Sequence, residues 1–456
     1  MKMKKLHGLI SLIVSGFLLT ACQESSSGSD STASSTTNLS QYFSDRDLDA
    51  SYDSDQATKI DLAGETATIS GTGASLNGQE LTISAAGTYL ISGSSDSIRI
   101  SVKAADAAQV QLVLNGVEMS AETAPIYVEE ADKVILTSAD GTTNTISDAA
   151  TNSNTELDAA IFSKSDLTIN GSGSLIVNGR YNNAIEGNDD VRIYGSHLEL
   201  EAVGDGINAN DALNIKDATV TIAAGHDGLH SDNAEDVNLG NLYVDQSQLT
   251  AQVGDDGIHA SNALIVNGGE ITITQSTEAM EGKTIHIMEG SLNLVASDDA
   301  INAANASAYA GISLTIDGGE LNVQAGGDGL DSNGNLLING GQIFVSGAPN
   351  PGNGALDYEG HAAITGGDAI IVGWSGMAQG FGSDSSQASL LVKELSGTAG
   401  SNIRVLDSEG NQLAAYTASQ AFDSILVSLA DMEEGQTYTV FVDDQSLTAT
   451  AGLTTE

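Results

Sequence analysis

A three-residue cadence runs through the middle of this chain: Asn-Ala-Ile at 183–185, Asp-Gly-Ile at 205–207, Asp-Gly-Leu at 227–229, Asp-Gly-Ile at 256–258, Glu-Ala-Met at 278–280, Asp-Ala-Ile at 299–301 and Asp-Gly-Leu at 328–330. Its apolar members, Ile185, Ile207, Leu229, Ile258, Met280, Ile301 and Leu330, follow one another at 22, 22, 29, 22, 21 and 29 residues. Gly-rich turns leading into alternating strands recur between them, as in Asn267-Gly-Gly-Glu-Ile-Thr-Ile-Thr and Asp317-Gly-Gly-Glu-Leu-Asn-Val. A unit of this size cannot bury its own apolar face, so the units must stack on one another. Extended chain rises about 3.3 Å per residue, and 22 residues make roughly 70 Å of path, enough for one three-sided coil. The spacing therefore predicts an all-β chain wound as a parallel β-helix solenoid.

The first 22 residues read as a targeting segment. Lys2, Lys4 and Lys5 give a positive start, Leu9 to Leu19 is apolar but too short to span a bilayer, and Leu19-Thr20-Ala21-Cys22 closes it. That tetrapeptide resembles the lipobox of bacterial lipoproteins, in which the cysteine becomes the lipidated first residue after cleavage. Cys22 is the single cysteine, so no internal disulfide is expected. Residues 23–40, rich in Ser, Thr and Gly, read as a flexible tether. Gln23 after the cysteine favours the outer membrane if the cell has two. The expectation is an exported protein held at the cell surface through its lipid anchor only.

Three segments follow the tether. Residues 41–157 carry strands at less regular spacing and are expected to form the N-terminal cap and first coils; 158–374 hold the regular coils; 375–456 lose the cadence, keep alternation in Thr437-Tyr-Thr-Val-Phe-Val, and are expected to form a small β C-terminal cap. A terminal unit that seals the last coil answers the problem of unpaired strand edges. With 61 acidic and 15 basic residues the formal net charge is −46, which argues against nucleic acid and anionic lipid and in favour of cations.

The segment Phe43-Ser-Asp-Arg-Asp-Leu-Asp-Ala-Ser-Tyr-Asp, then Gly87-Thr-Tyr-Leu-Ile-Ser-Gly, Val113-Leu-Asn-Gly-Val, the stacked Asp-Gly-Ile units and Gly435-Gln-Thr-Tyr-Thr-Val together resemble the bacterial carbohydrate-binding domain-containing lipoproteins. That resemblance covers nearly the whole mature chain. It implies a right-handed parallel β-helix similar in fold to pectate lyases, bound calcium, binding of plant cell-wall or acidic polysaccharide, and no catalysis.

The residues themselves also point to calcium. Stacked 22-residue units set equivalent positions about 4.8 Å apart, so Asp205, Asp227, Asp256, Glu278, Asp299 and Asp328 are expected in one line along the stack. Like charges at that spacing repel, and Ca²⁺, bound by oxygens at about 2.4 Å, bridges two rungs; Asp331 is a further ligand candidate. The alternative is that each Asp caps its turn by accepting backbone N–H groups. A second polar column lies three residues on: Glu186, Asn208, His230, His259, Glu281, Asn302 and Asp331. From it, His230, His259, Glu281 and Asn302, together with Lys283, are the carbohydrate-binding candidates, hydrogen-bonding sugar hydroxyls along a groove.

No basic residue stands in a recognisable lyase signature, and an acidic chain supplies accidental carboxylate pairs, so no catalytic residue is assigned. Trp374, the sole tryptophan, is expected to plug the core at the end of the coils. The expected function is calcium-dependent polysaccharide binding without cleavage, by a monomer. The alternatives are a structural or adhesive envelope protein with no dedicated glycan, and a cryptic polysaccharide lyase.

Overall fold

The computed structural model describes residues 38–305 and 310–455. Contacts divide the chain into Met1–Leu39 and Ser40–Glu456, and the architecture below is that of the second unit. The targeting segment, Cys22 and the tether up to residue 37 lie outside the described residues.

The unit is all-β. Among the described residues the only helical element is one 3-10 turn at Leu39–Gln41, and the strands form one 34-stranded sheet and one four-stranded sheet. Within the large sheet, ten strands close into a ring of parallel pairs. From Gln109–Ser120 it passes through Lys133–Ser138, Asp166–Asn170, Val191–Tyr194 and Ala212–Lys216 to Asn241–Val253. It returns through Thr219–Ala224, His197–Ala202, Ser174–Gly179 and Thr143–Ser147 to Gln109–Ser120.

The ring overturns the expected right-handed parallel β-helix solenoid: the body is a closed parallel β-barrel of ten strands, extended by further parallel strands. The closure is made by two long strands. Gln109–Ser120 has 12 residues and Asn241–Val253 has 13, and each pairs with strands from two ladders. The chain turns the corner inside them without leaving the sheet, helped by Gly116 at φ 73° and Gln246 at φ 46°. A periodicity reading places a break between strands at these corners and so misses the bonds that join the ladders.

A further parallel ladder carries the cadence. Ile185, Ile207, Leu229, Ile258, Met280, Ile301 and Leu330 are direct partners in successive strands, and the ladder continues to Leu356. All of the seven are 0 % exposed. Burying a side chain of this size stabilises by roughly 1.5–3 kcal/mol, and the repeat lines these contributions along one core. Outward neighbours on the same short strands form the polar column, because side chains alternate across a strand.

Both ends depart from parallel pairing. Thr58–Ala63 pairs antiparallel with Thr66–Ser70, while Ser424–Ser428 runs antiparallel to both Asp368–Gly373 and Leu390–Val392. Strands Asn402–Leu406, Gln412–Thr417, Thr437–Val442 and Gln445–Thr450 make the four-stranded antiparallel sheet. Trp374 is half-buried and belongs to no hydrophobic core among the described residues; Phe381, fully buried, packs into the main core, and Phe422 and Tyr438 into the C-terminal one.

The segment from Tyr42 to Asp49 straps the outside of the barrel. Tyr42 stacks on Tyr243 with ring centroids 3.7 Å apart, and Tyr42 O accepts from Arg192 Nε at 3.0 Å. Asp47, 0 % exposed, accepts from Lys133 Nζ at 2.7 Å and Thr168 Oγ1 at 2.5 Å. Burial pushes its carboxyl up, but the bonds from Lys133, Ser44 and Thr168 outweigh this and hold it at about 2.

Candidate functional site

The cadence positions its acids through hydrogen bonds as well as charge. Asp205 N–H donates to Asn183 Oδ1 at 2.7 Å, Asp227 N–H to Asp205 Oδ1 at 3.1 Å, and Asp256 N–H to Asp227 Oδ1 at 2.9 Å. Asp328 N–H donates to Asp299 Oδ1 at 2.5 Å, and Gly354 N–H in turn to Asp328 Oδ1. In each of these steps one side-chain oxygen, a carboxamide at Asn183 and a carboxylate at Asp205, Asp227, Asp299 and Asp328, satisfies the corner amide of the next rung, which would otherwise be an orphan. The small residue that follows, Gly206 or Gly228, is required by packing: a Cβ at Gly228 would meet Gly257 O at 2.5 Å.

The outward column stacks in register as Glu186, Asn208, His230, His259, Glu281, Asn302, Asp331 and Asp357. It turns back onto the acids. Asn208 Nδ2 donates to Asp205 Oδ2 at 3.1 Å; His230 Nδ1 is 2.7 Å from Asp227 Oδ2; His259 Nδ1 is 3.0 Å from both Asp256 Oδ2 and Glu281 Oε2. The two imidazoles lie 4.8 Å apart, centroid to centroid. Burial lowers the pKa of both, yet their carboxylate partners more than reverse this, and His259 is raised to about 10. In the middle of the column Asp256 and Glu281 therefore already hold a positive counter-charge at His259.

Farther along, that compensation ends. Glu278 replaces Asp in the cadence, and its two oxygens accept from Asn302 Nδ2 at 3.2 and 3.1 Å. Burial, then the charges of Glu281 and Asp256, push it up to about 8. Asp328 is raised to about 7 by burial and by Asp299 and Asp357, and Asp331 to about 7 by burial and by Asp299, Asp328 and Asp357. No Lys, Arg or His pairs with Asp299, Asp328, Asp331 or Asp357 among the described residues. Carboxylate oxygens of Asp328, Asp331 and Asp357 all lie within 4.8 Å of one another. An all-oxygen, uncompensated set of this reach suits a hard divalent cation with oxygen bonds of about 2.4 Å.

The structure thus separates the predicted metal residues into two groups, with Glu278 between them, its carboxylate within 4.8 Å of those of Asp256 and Glu281. Asp205, Asp227 and Asp256 are buried and engaged by backbone amides, Asn208 and histidines, whereas Asp328 and Asp331 share the uncompensated end with Asp299 beside them. Of the predicted sugar-binding residues, His230, His259, Glu281 and Asn302 share one stack. Lys283 lies two residues past Glu281 in the same strand and forms no ion pair among the described residues. Asp357 was missed, although Leu356-Asp357-Tyr358 repeats Leu330-Asp331-Ser332; the absence of an Asp-Gly pair before Leu356 hid it. A further acidic cluster, Asp189, Asp190 and Asp211, lies outside the cadence and the sequence pattern does not mark it; Arg192 pairs with Asp190 there.

The family model for carbohydrate-binding domain-containing proteins matches residues 77–308 and 276–389. The chain belongs to this family. Its matched residues include every rung of the acidic column, from Asn183 to Asp357. Among solved structures, the chain is similar to a polysaccharide lyase-like protein from C. thermocellum, described as a gadolinium derivative, at 28 % identity over 48 % of this chain and 91 % of that one, with a TM-score of 0.47. No protein of curated description matches the sequence.

Proposed function

We propose that this member of the family binds polysaccharide without cleaving it, through Ca²⁺ held at the uncompensated end of the acidic column. The observation that carries the reading is the cluster of Asp328, Asp331 and Asp357, whose oxygens lie within 4.8 Å of one another with no basic partner among the described residues. These three would hold the ion, with Asp299 adding charge nearby; Ca²⁺ when bound supplies open coordination positions for sugar oxygens. The protein's own part is to hold the carboxylates: the Asp299 and Asp328 Oδ1 atoms are fixed by backbone N–H groups, and Asp357 Oδ1 accepts from Tyr358 N–H and Gln379 Nε2. Asn302, Glu281 and His259 continue the polar stack for further sugar contacts. A protein of charge −46 repels an acidic glycan unless the ion bridges the two sets of carboxylates.

The test is calorimetric titration of Ca²⁺ into metal-free protein, followed by affinity electrophoresis in polygalacturonate. Saturable Ca²⁺ binding that Asp328→Asn with Asp331→Asn abolishes, together with glycan retardation only when Ca²⁺ is present, is expected. Tight acidic-glycan binding by fully chelated protein would refute the bridge. Absorbance of unsaturated products from polygalacturonate would refute the non-catalytic reading. On the cellular side we propose an exported monomer with no nucleic-acid partner, lipid-anchored through Cys22 at the cell surface and in the outer membrane where a cell has two.

A further inference from the structure

Just ahead of the acidic column in sequence, and ending at Arg180 shortly before its first rung at Asn183, a polar groove crosses five parallel neighbours: Thr58–Ala63, Gly87–Ser95, Gln109–Ser120, Thr143–Ser147 and Ser174–Gly179. It has a volume of about 410 Å³ and runs across the C-terminal ends of these strands. Register explains its lining. Ser94, Glu118 and Thr145 are successive partners in one row, and Ser120, Ser147 and Asn178 in the next outward row. Hydroxyl, amide and carboxylate groups are thereby repeated at the inter-strand spacing of about 4.8 Å, over a total of about 19 Å for five strands.

Arg180 closes the far end. It is exposed, and its guanidinium forms no ion pair among the described residues. Its backbone is fixed by Asp148, 1 % exposed, whose Oδ1 accepts from Arg180 N–H at 2.5 Å and from Tyr181 N–H at 3.4 Å. The other oxygen, Asp148 Oδ2, is buried with no hydrogen-bond partner among the described residues. A rigid floor of sheet, pinned at Arg180, presents a preformed row of donors and acceptors.

We infer that this groove is a second glycan subsite, which takes a neutral polysaccharide chain lying along the stacking direction and needs no metal ion. The inference rests on the carbohydrate-binding reading above but uses different residues and a different sugar class. Periodic hydroxyls and an amide match the periodic hydroxyls of a hexose chain, each pair exchanging one donor and one acceptor. The carboxylates of Asp96 and Glu118 in the same groove oppose a uronate. No aromatic residue lines it among the described residues, so affinity comes from hydrogen bonds in register and not from ring stacking.

The experiment is affinity electrophoresis of the full chain in soluble neutral polysaccharides (hydroxyethylcellulose, galactomannan and xyloglucan) with chelator throughout and polygalacturonate in parallel. Retardation in at least one neutral gel, none in polygalacturonate, a loss of tenfold or more in affinity for Thr145→Trp and about threefold for the exposed Arg180→Ala, with the exposed Gln445→Ala on the four-stranded sheet unchanged, supports the subsite. Circular dichroism checks each fold, and Arg180→Ala keeps the test decisive if Thr145→Trp does not fold. Lack of retardation in every neutral gel, equal binding of polygalacturonate under chelator, or affinity unmoved by both Thr145→Trp and Arg180→Ala overturns it. Calcium-dependent binding at Asp328 and Asp331 can survive that outcome, and its failure leaves this groove untouched.

Discussion

The backbone N–H of Asp256 donates to Oδ1 of Asp227 at 2.9 Å across 29 residues of sequence. The same bond joins Asp227 to Asp205, and Asp205 to Asn183, where an amide oxygen takes the place of the carboxylate. What this part of the column needs is an acceptor at a fixed place on each rung, while His230 and His259 pair with the other oxygens of Asp227 and Asp256.

Replacing Asp227 should separate those two roles. Asp227→Ala leaves the Asp256 N–H unpaired at a buried corner and is expected to destabilise by about 1–3 kcal/mol. Asp227→Asn keeps an oxygen there, as Asn183 does naturally, and is expected to lose less. Chemical denaturation of both variants checks the order, and equal losses would contradict the acceptor role.

Asp47 and Lys133 form a buried pair between the strap and the barrel at 2.7 Å. Truncating Asp47 leaves the buried Lys133 only its longer contact with Asp166, at 3.6 Å, so Asp47→Ala is expected to cost up to about 3–5 kcal/mol. Because the folded pKa of Asp47 is depressed to about 2, its contribution is present above the ordinary carboxylate value of about 4 and is lost as pH falls towards 2. Wild type should therefore show an acid-induced loss of stability over that interval which Asp47→Ala lacks.

At the uncompensated end the sign is opposite. Asp328 and Asp331, raised to about 7, and Glu278, raised to about 8, favour the folded state while protonated. Their contribution is full below about 4 and is lost as pH rises through 7–8; that of His259, full below about 6.5, is lost through 10. Metal-free protein should melt at progressively lower temperature from pH 5 to 8.5. Ca²⁺ should flatten that slope, because it binds the ionised carboxylates of the folded state alone. Slopes that coincide with and without Ca²⁺ would exclude a site at Asp328 and Asp331.

Export carries its own expectation. Cys22→Ala should leave the protein unprocessed or release it from the membrane fraction, as followed by detergent partitioning. Unchanged partitioning would count against lipidation.

The sequence by itself determined the repeat, the all-β composition and the apolar line from Ile185 to Leu330, because stacking units of about 22 residues require one apolar side chain at the same place in each. It also put His230, His259, Glu281 and Asn302 on one outward row, since strand alternation depends only on local spacing. Tertiary structure decided how the ladders join. Corner residues such as Gly116 and Gln246 stay inside continuous strands, and the hydrogen bonds that close the ring link residues whose partners no local pattern names. It also decided which acids are spare. Asp227 and Asp328 occupy the same position of the cadence, yet one meets a histidine three residues on and the other meets Asp331, with Asp357 arriving from the next rung. Charge balance is set by neighbours across strands, at distances that only the folded chain fixes.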